Sequence, residues 1–145
     1  MTIHQLSVFL ENKKGTLLNV LNVLKEAGIQ IVASTIADTQ EYGIYRIICS
    51  DSSRAYLLLK EAGVSVTLSD VFAVELDNRP GCAADALSIF ADANINLNYM
   101  YSFLLDGKGI LVFRTNDTEK ARELIILNQM RFVSEVDLKN LNRTL

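Results

Sequence analysis

Two short turns, alike in residue type, carry the groups whose spacing suggests chemistry. One reads Glu11-Asn12-Lys13-Lys14-Gly15-Thr16-Leu17 and the other Asp77-Asn78-Arg79-Pro80-Gly81-Cys82-Ala83. Alternating apolar residues precede each turn and helically spaced ones follow, so each leads from a strand into a helix. A glycine, Gly15 or Gly81, lets a guest approach the main chain closely. The N–H groups after it, on Thr16 and Leu17 or on Cys82 and Ala83, lack intrahelical partners and stand at the positive end of the helix dipole. Such a place seats a carboxylate or a phosphate. The carboxamide of Asn12 or Asn78 adds an oxygen able to accept from an ammonium. Anion seat and acceptor together suit a zwitterion, the form of a free α-amino acid. The residues alone leave a second reading equally open, in which Asn and Gly simply shape the start of a helix.

Other chemistry is thinly supplied. His4 is the one histidine, Cys49 and Cys82 are the two cysteines, and they do not cluster in sequence. A catalytic zinc site, a Ser-His-Asp triad or another nucleophile–base pair therefore has no visible residues. The chain reads as a non-enzyme with no cofactor and no metal. Cys82 begins a helix, where a thiol pKa can fall, but a small packed residue is the simpler reading. Cys49 reads as inert core and His4 as surface. Tyr99, Tyr101 and Phe103 alternate on one strand face and read as packing surface more than ligand lining.

The net charge is -3 and the pI about 5.1, with Lys and Arg scattered, so no basic stripe offers itself to phosphate backbones. Ile110 and Val112 are aliphatic where base stacking on a strand needs aromatics. Nucleic acid is thus not an expected partner. Neither is a membrane, because no stretch is long and apolar enough to span one. The start, Met1-Thr2-Ile3-His4-Gln5, lacks a signal-peptide pattern, and two cysteines make no disulfide framework. A cytoplasmic location is expected.

The positioning elements come from a repeat. Shifted by 66 residues, the distance from Gly15 to Gly81, the chain falls on itself without a gap. Asn12 meets Asn78, Leu21 meets Leu87, Gly43-Ile44 meets Gly109-Ile110, and Asp51 meets Asp117. In the first copy, Ile3 to Glu11 reads as a strand with Leu6, Val8 and Leu10 on one side. Gly15 opens a helix with apolar Leu17, Leu18, Val20, Leu21 and Leu24, and Gly28 suits its left-handed end. Strand Ile31 to Ala37, turn Gln40 to Gly43 and strand Ile44 to Cys49 follow. Asp51 or Ser52 caps a second helix, Gly63 stops it, and Val64 to Leu68 is a fourth strand. The second copy repeats the order: strand Val71–Leu76, helix Cys82–Ala93, strand Asn96–Leu104, turn Asp106-Gly107, strand Ile110–Thr115, helix Thr118–Leu127, strand Arg131–Val136. The join is strand-like, broken only around Ser69-Asp70. The fold class is α+β: two ferredoxin-like βαββαβ sandwiches, residues 1–69 and 70–145, each a four-stranded antiparallel sheet with both helices on one face. Units this small bury limited apolar surface alone, so the copies are expected to act together.

On these residues the chain resembles two ACT domains in tandem, the small-molecule-sensing modules of amino-acid metabolism. The resemblance runs from Thr2 to about Leu138. Asn78-Arg79-Pro80-Gly81 is similar to the Asn-x-Pro-Gly turn of ACT domains, and Ala93-Asn94-Ile95-Asn96 follows it. In serine-sensing members an Asn at the position of Asn96 also touches ligand; Gln30 stands there in the first copy, and Lys14 replaces the proline. Those members also carry a histidine two residues before the turn Asn, where this chain has Leu10 and Leu76. The resemblance therefore implies an amino acid as a class, not serine. It places ligand at the seam between paired domains, near Asn12, Gln30, Asn78 and Asn96, with the Asn78–Gly81 turn occupied first because Pro80 pre-sets its backbone. It implies a regulatory protein whose partners are a free amino acid and either a second copy, as a homodimer, or a separate metabolic enzyme. The alternative is a protein–protein interaction module with vestigial ligand turns.

Overall fold

The computed structural model describes residues 1–11, 13–39 and 41–140, with only the main chain of Lys13. In chain order the elements are β1 (Ile3–Leu10), α1 (Lys13–Glu26), β2 (Ile31–Asp38), β3 (Gly43–Cys49), α2 (Ser52–Glu61) and β4 (Val66–Leu76). They continue with α3 (Cys82–Asp92), β5 (Tyr99–Leu105), β6 (Lys108–Arg114), α4 (Thr118–Leu127), β7 (Arg131–Phe132) and α5 (Glu135–Asn140).

Two compact units result. The first holds His4–Ser69 together with α5, and the second holds Met1–Ile3 together with Asp70–Ser134. The chain passes from the first unit to the second between Ser69 and Asp70, and back to the first after Ser134. Within the first unit the strand order is β2-β3-β1 followed by the start of β4; within the second it is β5-β6-β4-β7. The registered pairs in both units are antiparallel.

Each unit buries one sheet face under its two helices, as period-2 and period-3.6 patterning dictate. In the first, Leu6, Val8 and Leu10 of β1 and Tyr45, Ile47 and Cys49 of β3 meet Val20, Leu24, Ala55 and Leu59. In the second, Phe72, Val74, Leu111 and Phe113 meet Ala86, Phe90, Ala121 and Ile125. The Phe113 ring lies 4.9 Å from Phe90 and 5.4 Å from Phe72, within the range of favourable aromatic pairing. Burial of these faces supplies the main stabilisation. Asp51 caps α2, its Oδ1 accepting from the Arg54 N–H at 3.3 Å. Gly28 and Gly63 end α1 and α2 in left-handed conformations.

Several sequence expectations need correction. Helix α1 begins at Lys13, so Gly15 lies inside its first turn and does not open it. Leu18 is exposed. β4 is one strand of 11 residues through Ser69 and Asp70, since neither residue forbids extended backbone and Val66, Thr67 and Val71 favour it. Asn96 to Asn98 precede β5 and are not part of it. The last strand stops at Phe132, and Val136 belongs to α5. Ser134 followed by Glu135 and Asp137 is a helix-start pattern that the alternation of apolar residues masked. His4 is at the surface as expected, its side chain 45% exposed, while its N–H donates to Glu135 Oε1 at 2.6 Å and its Nδ1 lies 3.7 Å from the same oxygen. Of the expected turn Gln40 to Gly43, Gln40 lies outside the described residues.

Candidate functional site

The two strand-to-helix turns, alike in sequence, differ in backbone. In the second unit the N–H of Cys82 donates to the Arg79 carbonyl at 3.3 Å, and Gly81 sits at φ 87°, ψ -9°. With Pro80 before it, this is the pattern of a type II β-turn, whose third position needs positive φ and so favours glycine. The turn holds α3 back to Cys82. Gly81 caps α3 without a side chain, and the first helical bond runs from the Asp85 N–H to the Gly81 carbonyl at 2.9 Å. The N–H groups of Ala83 and Ala84 have no acceptor among the described residues. They are left for an outside acceptor, as helix starts generally are.

The first unit departs from this because Lys14 replaces Pro80. Proline disfavours helical backbone in the residue before it, here Arg79. Lys14 places no such restriction on Lys13, and α1 starts there, three positions earlier than α3 in the repeat. Gly15 is helical, without the positive φ of Gly81. Asn12 lies outside the described residues.

Next to the second turn is a cavity of about 320 Å³. Asn78, Arg79, Cys82 and Ala83 line it on one side, and Leu76, Ser102, Leu104 and Gly109 on the other. Its size falls at the lower end of the ~300–1,000 Å³ typical of small-molecule sites. The Asn78 carboxamide has no protein partner among the described residues. Asp77, at the rim, faces Arg79 Nε at 3.9 Å and Lys108 Nζ at 3.7 Å. These exposed pairs are loose and contribute little to stability, which leaves the charges available to a zwitterion.

A second type of depression occurs in both units, on the side of the turn facing the closing loop. In the first, about 420 Å³ is lined by Glu11, Gly15, Thr16, Asn19 and the Gly63–Ser65 loop. In the second, about 400 Å³ is lined by Asp77, Cys82, Asp85 and Asn128–Arg131. At its edge Arg131 Nη1 meets Glu75 Oε2 at 2.7 Å.

The sequence-predicted residues thus divide. Asn78, Cys82 and Ala83 share one cavity, and Gly15 and Thr16 share another. Pro80 and Gly81 shape the turn without lining the 320 Å³ cavity. Leu17 is half-buried against the first unit's core and serves packing. Gln30 and Asn96 are not brought to their own units' turns. Each lies beyond the far end of its leading helix, roughly 15–20 Å along the axis. There Gln30 N–H donates to Ser50 Oγ at 3.0 Å, and the Asn96 carbonyl accepts from Thr115 Oγ1 at 2.8 Å. Sequence reading missed Leu76, Ser102, Leu104 and Gly109 as lining residues. The recurrence of glycine at Gly43 and Gly109 was the available signal, since a strand glycine often marks close approach.

The thiols are unequal in setting but both buried. Burial pushes Cys49 up to about 11, helped by the Glu135 and Asp51 carboxylates and opposed by a backbone hydrogen bond at Asp51. Among the described residues no three His, Cys, Asp or Glu side chains group as metal ligands, and no helix is long and apolar enough to cross a membrane.

Two βαββαβ units, each leading from its first strand directly into a helix, define a tandem of ferredoxin-like domains. The chain belongs to the ACT domain pair family, whose model matches residues 1–142. Protein BT0572 from Bacteroides thetaiotaomicron is similar at 34% identity over 96% of both chains, with a TM-score of 0.90. The regulatory subunit of aspartate kinase from Thermus thermophilus, in its ligand-free form, shares the fold at 14% identity. That match covers 86% of this chain and 90% of the other, with a TM-score of 0.59. The corresponding subunit from Thermus flavus does so at 17% identity over 87% and 90%, with a TM-score of 0.57. No curated protein matches the sequence.

Proposed function

We propose that this ACT pair is a non-catalytic, cytoplasmic regulatory protein that binds a free amino acid at the turn from β4 into α3. The carrying observation is the cavity of about 320 Å³ lined by Asn78 and Ala83, whose carboxamide and N–H have no partner among the described residues. The ligand carboxylate docks on the N–H groups of Ala83 and Ala84 at the positive end of α3, and its ammonium on Asn78 Oδ1 and the Asp77 carboxylate. The turn from β1 into α1, with Asn12, Gly15, Thr16 and Leu17, is the weaker site, because its helix begins before the glycine. Gln30 and Asn96, remote from their own turns, act on ligand held by another ACT unit's turn. Occupancy stiffens the turn, and the change passes to a second copy of the chain or to a metabolic enzyme; couplings of this kind are typically about 1–3 kcal/mol.

The test is thermal unfolding against the common amino acids at millimolar concentration, with Asn78→Ala beside the native chain. A ligand at about 100 times its Kd adds roughly 2.7 kcal/mol of stability. A raised Tm with one chemical subset, abolished by Asn78→Ala, is the expected result. A flat response across the panel would overturn the proposal and favour an interaction module with vestigial turns.

A further inference from the structure

The cavity beside α3 has a floor with a missing side chain. Gly109 of β6 pairs with Leu76 of β4 on one side and with Leu104 of β5 on the other. Residues directly opposite on neighbouring strands share a face. Leu76, Gly109 and Leu104 therefore form one row across the sheet, on the face that also carries Leu111 and Phe113 of the core. In that row two leucines flank a position without a Cβ. A Cβ built on Gly109 would meet only Leu76, its carbonyl oxygen at 3.5 Å and its Cβ at 3.8 Å, both ordinary contacts. The gap is thus neither filled by neighbours nor demanded by backbone conformation, since Gly109 does not have a positive φ. Above it lie Cys82 and Ala83 of the α3 first turn.

We infer that this notch is the side-chain seat of the amino-acid site and that it selects an aliphatic side chain. The inference rests on the amino-acid reading proposed above and adds the chemical class of the ligand. Leu76 and Leu104 give the notch apolar walls, and Leu104 is 64% exposed, so apolar surface waits to be covered. A valine, leucine, isoleucine or methionine whose carboxylate rests on Ala83 and Ala84 directs its aliphatic group along the sheet into the row. Removing that apolar area from water favours binding. The first unit offers a different floor. Its equivalent row is Leu10, Gly43 and Asp38, with a carboxylate where the second has Leu104. The two turns therefore do not share a ligand preference, and the aliphatic specificity belongs to the second unit.

Isothermal titration calorimetry on the full chain tests this, using leucine, valine, methionine, alanine, serine, lysine and glutamate as probes. Two variants accompany the native protein. Gly109→Ala fills the notch, and Leu104→Asp gives the second unit the first unit's residue at an exposed position. One methylene in an apolar pocket changes affinity by roughly 10–200-fold, so Gly109→Ala should weaken leucine at least about tenfold while sparing alanine. Leu104→Asp should weaken leucine to a similar degree, with both variants keeping the native circular dichroism. Binding confined to serine, lysine or glutamate would overturn the inference and leave the amino-acid reading standing. So would leucine affinity unchanged to within about twofold in both variants. Absence of heat with every amino acid, matched by a flat thermal response, would remove the amino-acid reading and this inference with it.

Discussion

Replacing Gly15 and Gly81 separately by alanine should move stability in opposite directions, although the repeat makes them equivalent. Gly81 stands at φ 87°, where an alanine is strained whatever room surrounds it, and nothing lies within 4 Å of a Cβ there. The cost is then purely conformational, roughly 1–2 kcal/mol for an L-residue in left-handed backbone. Gly15 is an exposed residue in the first turn of α1, in helical conformation. Alanine there removes the entropic handicap of helical glycine and should stabilise by about 0.5–1 kcal/mol. For a chain of this size one kcal/mol moves Tm by about 2–4 °C. Gly81→Ala should therefore lower Tm by roughly 2–8 °C and Gly15→Ala should raise it by roughly 1–4 °C, read by calorimetry and checked by urea unfolding. Shifts of the same sign would refute the argument that Pro80 and Lys14 give the two turns different backbones. A neutral Gly81→Ala would refute the left-handed assignment directly.

Other consequences follow from the same geometry. Burial raises Cys49 from 9.0 to about 11, so folding holds its proton. The stability this contributes is complete below pH 9.0 and is lost as pH rises through about 11, at a slope approaching 1.4 kcal/mol per pH unit between them. Urea unfolding at pH 8 and pH 10.5, compared with a Cys49→Ala variant, reads that difference; equal losses in the two proteins would contradict it. In native protein at pH 8, Cys49 should also resist thiol reagents until the chain is denatured. Asp51→Ala should cost about 1 kcal/mol by removing the cap of α2, measured by urea unfolding, with Asp51→Ser restoring most of it. Leu138 is fully buried although α5 has six residues, so Leu138→Ala should cost about 2–5 kcal/mol, where a peripheral helix would lose almost nothing.

The repeat was legible because turn and cap residues recur at a fixed spacing, and those residues act through local physics. Gly28, Gly63 and the Asp106-Gly107 pair adopt positive φ, as residues that end helices or close a two-residue hairpin must. Leu6, Val8 and Leu10 share a buried face for the same reason, since a period of two is enough to assign it. Reading failed where identity at one position depended on its neighbour. Gly15 and Gly81 look alike, and only the residue before each decides whether the chain turns or coils. It failed again at Val133 to Leu138, where apolar alternation and a helix start overlap and tertiary burial of Leu138 chose the helix. Gln30 and Asn96 were named by resemblance alone, for a seam between paired domains, and each lies a helix length from the turn of its own unit. The cavity floor was illegible for another reason. Gly109, Leu76 and Leu104 come from three strands, and their adjacency exists only once the register is set.

Duplication normally gives two equal sites, yet here one proline separates them. Pro80 denies Arg79 a helical backbone, the type II turn forms, and α3 must begin at Cys82 with its first N–H groups turned outward. With Lys14 in its place the helix reaches back to Lys13, and the glycine that would have formed the turn is consumed as a helical residue. The same asymmetry appears one layer deeper, where Leu104 faces Gly109 but Asp38 faces Gly43. Turn and floor have thus diverged together in the two units. A turn kept only to start a helix would put no constraint on the residue across the sheet from it. An open turn and an apolar floor occur together in the second unit and neither occurs in the first, which is the arrangement the proposed amino-acid site needs.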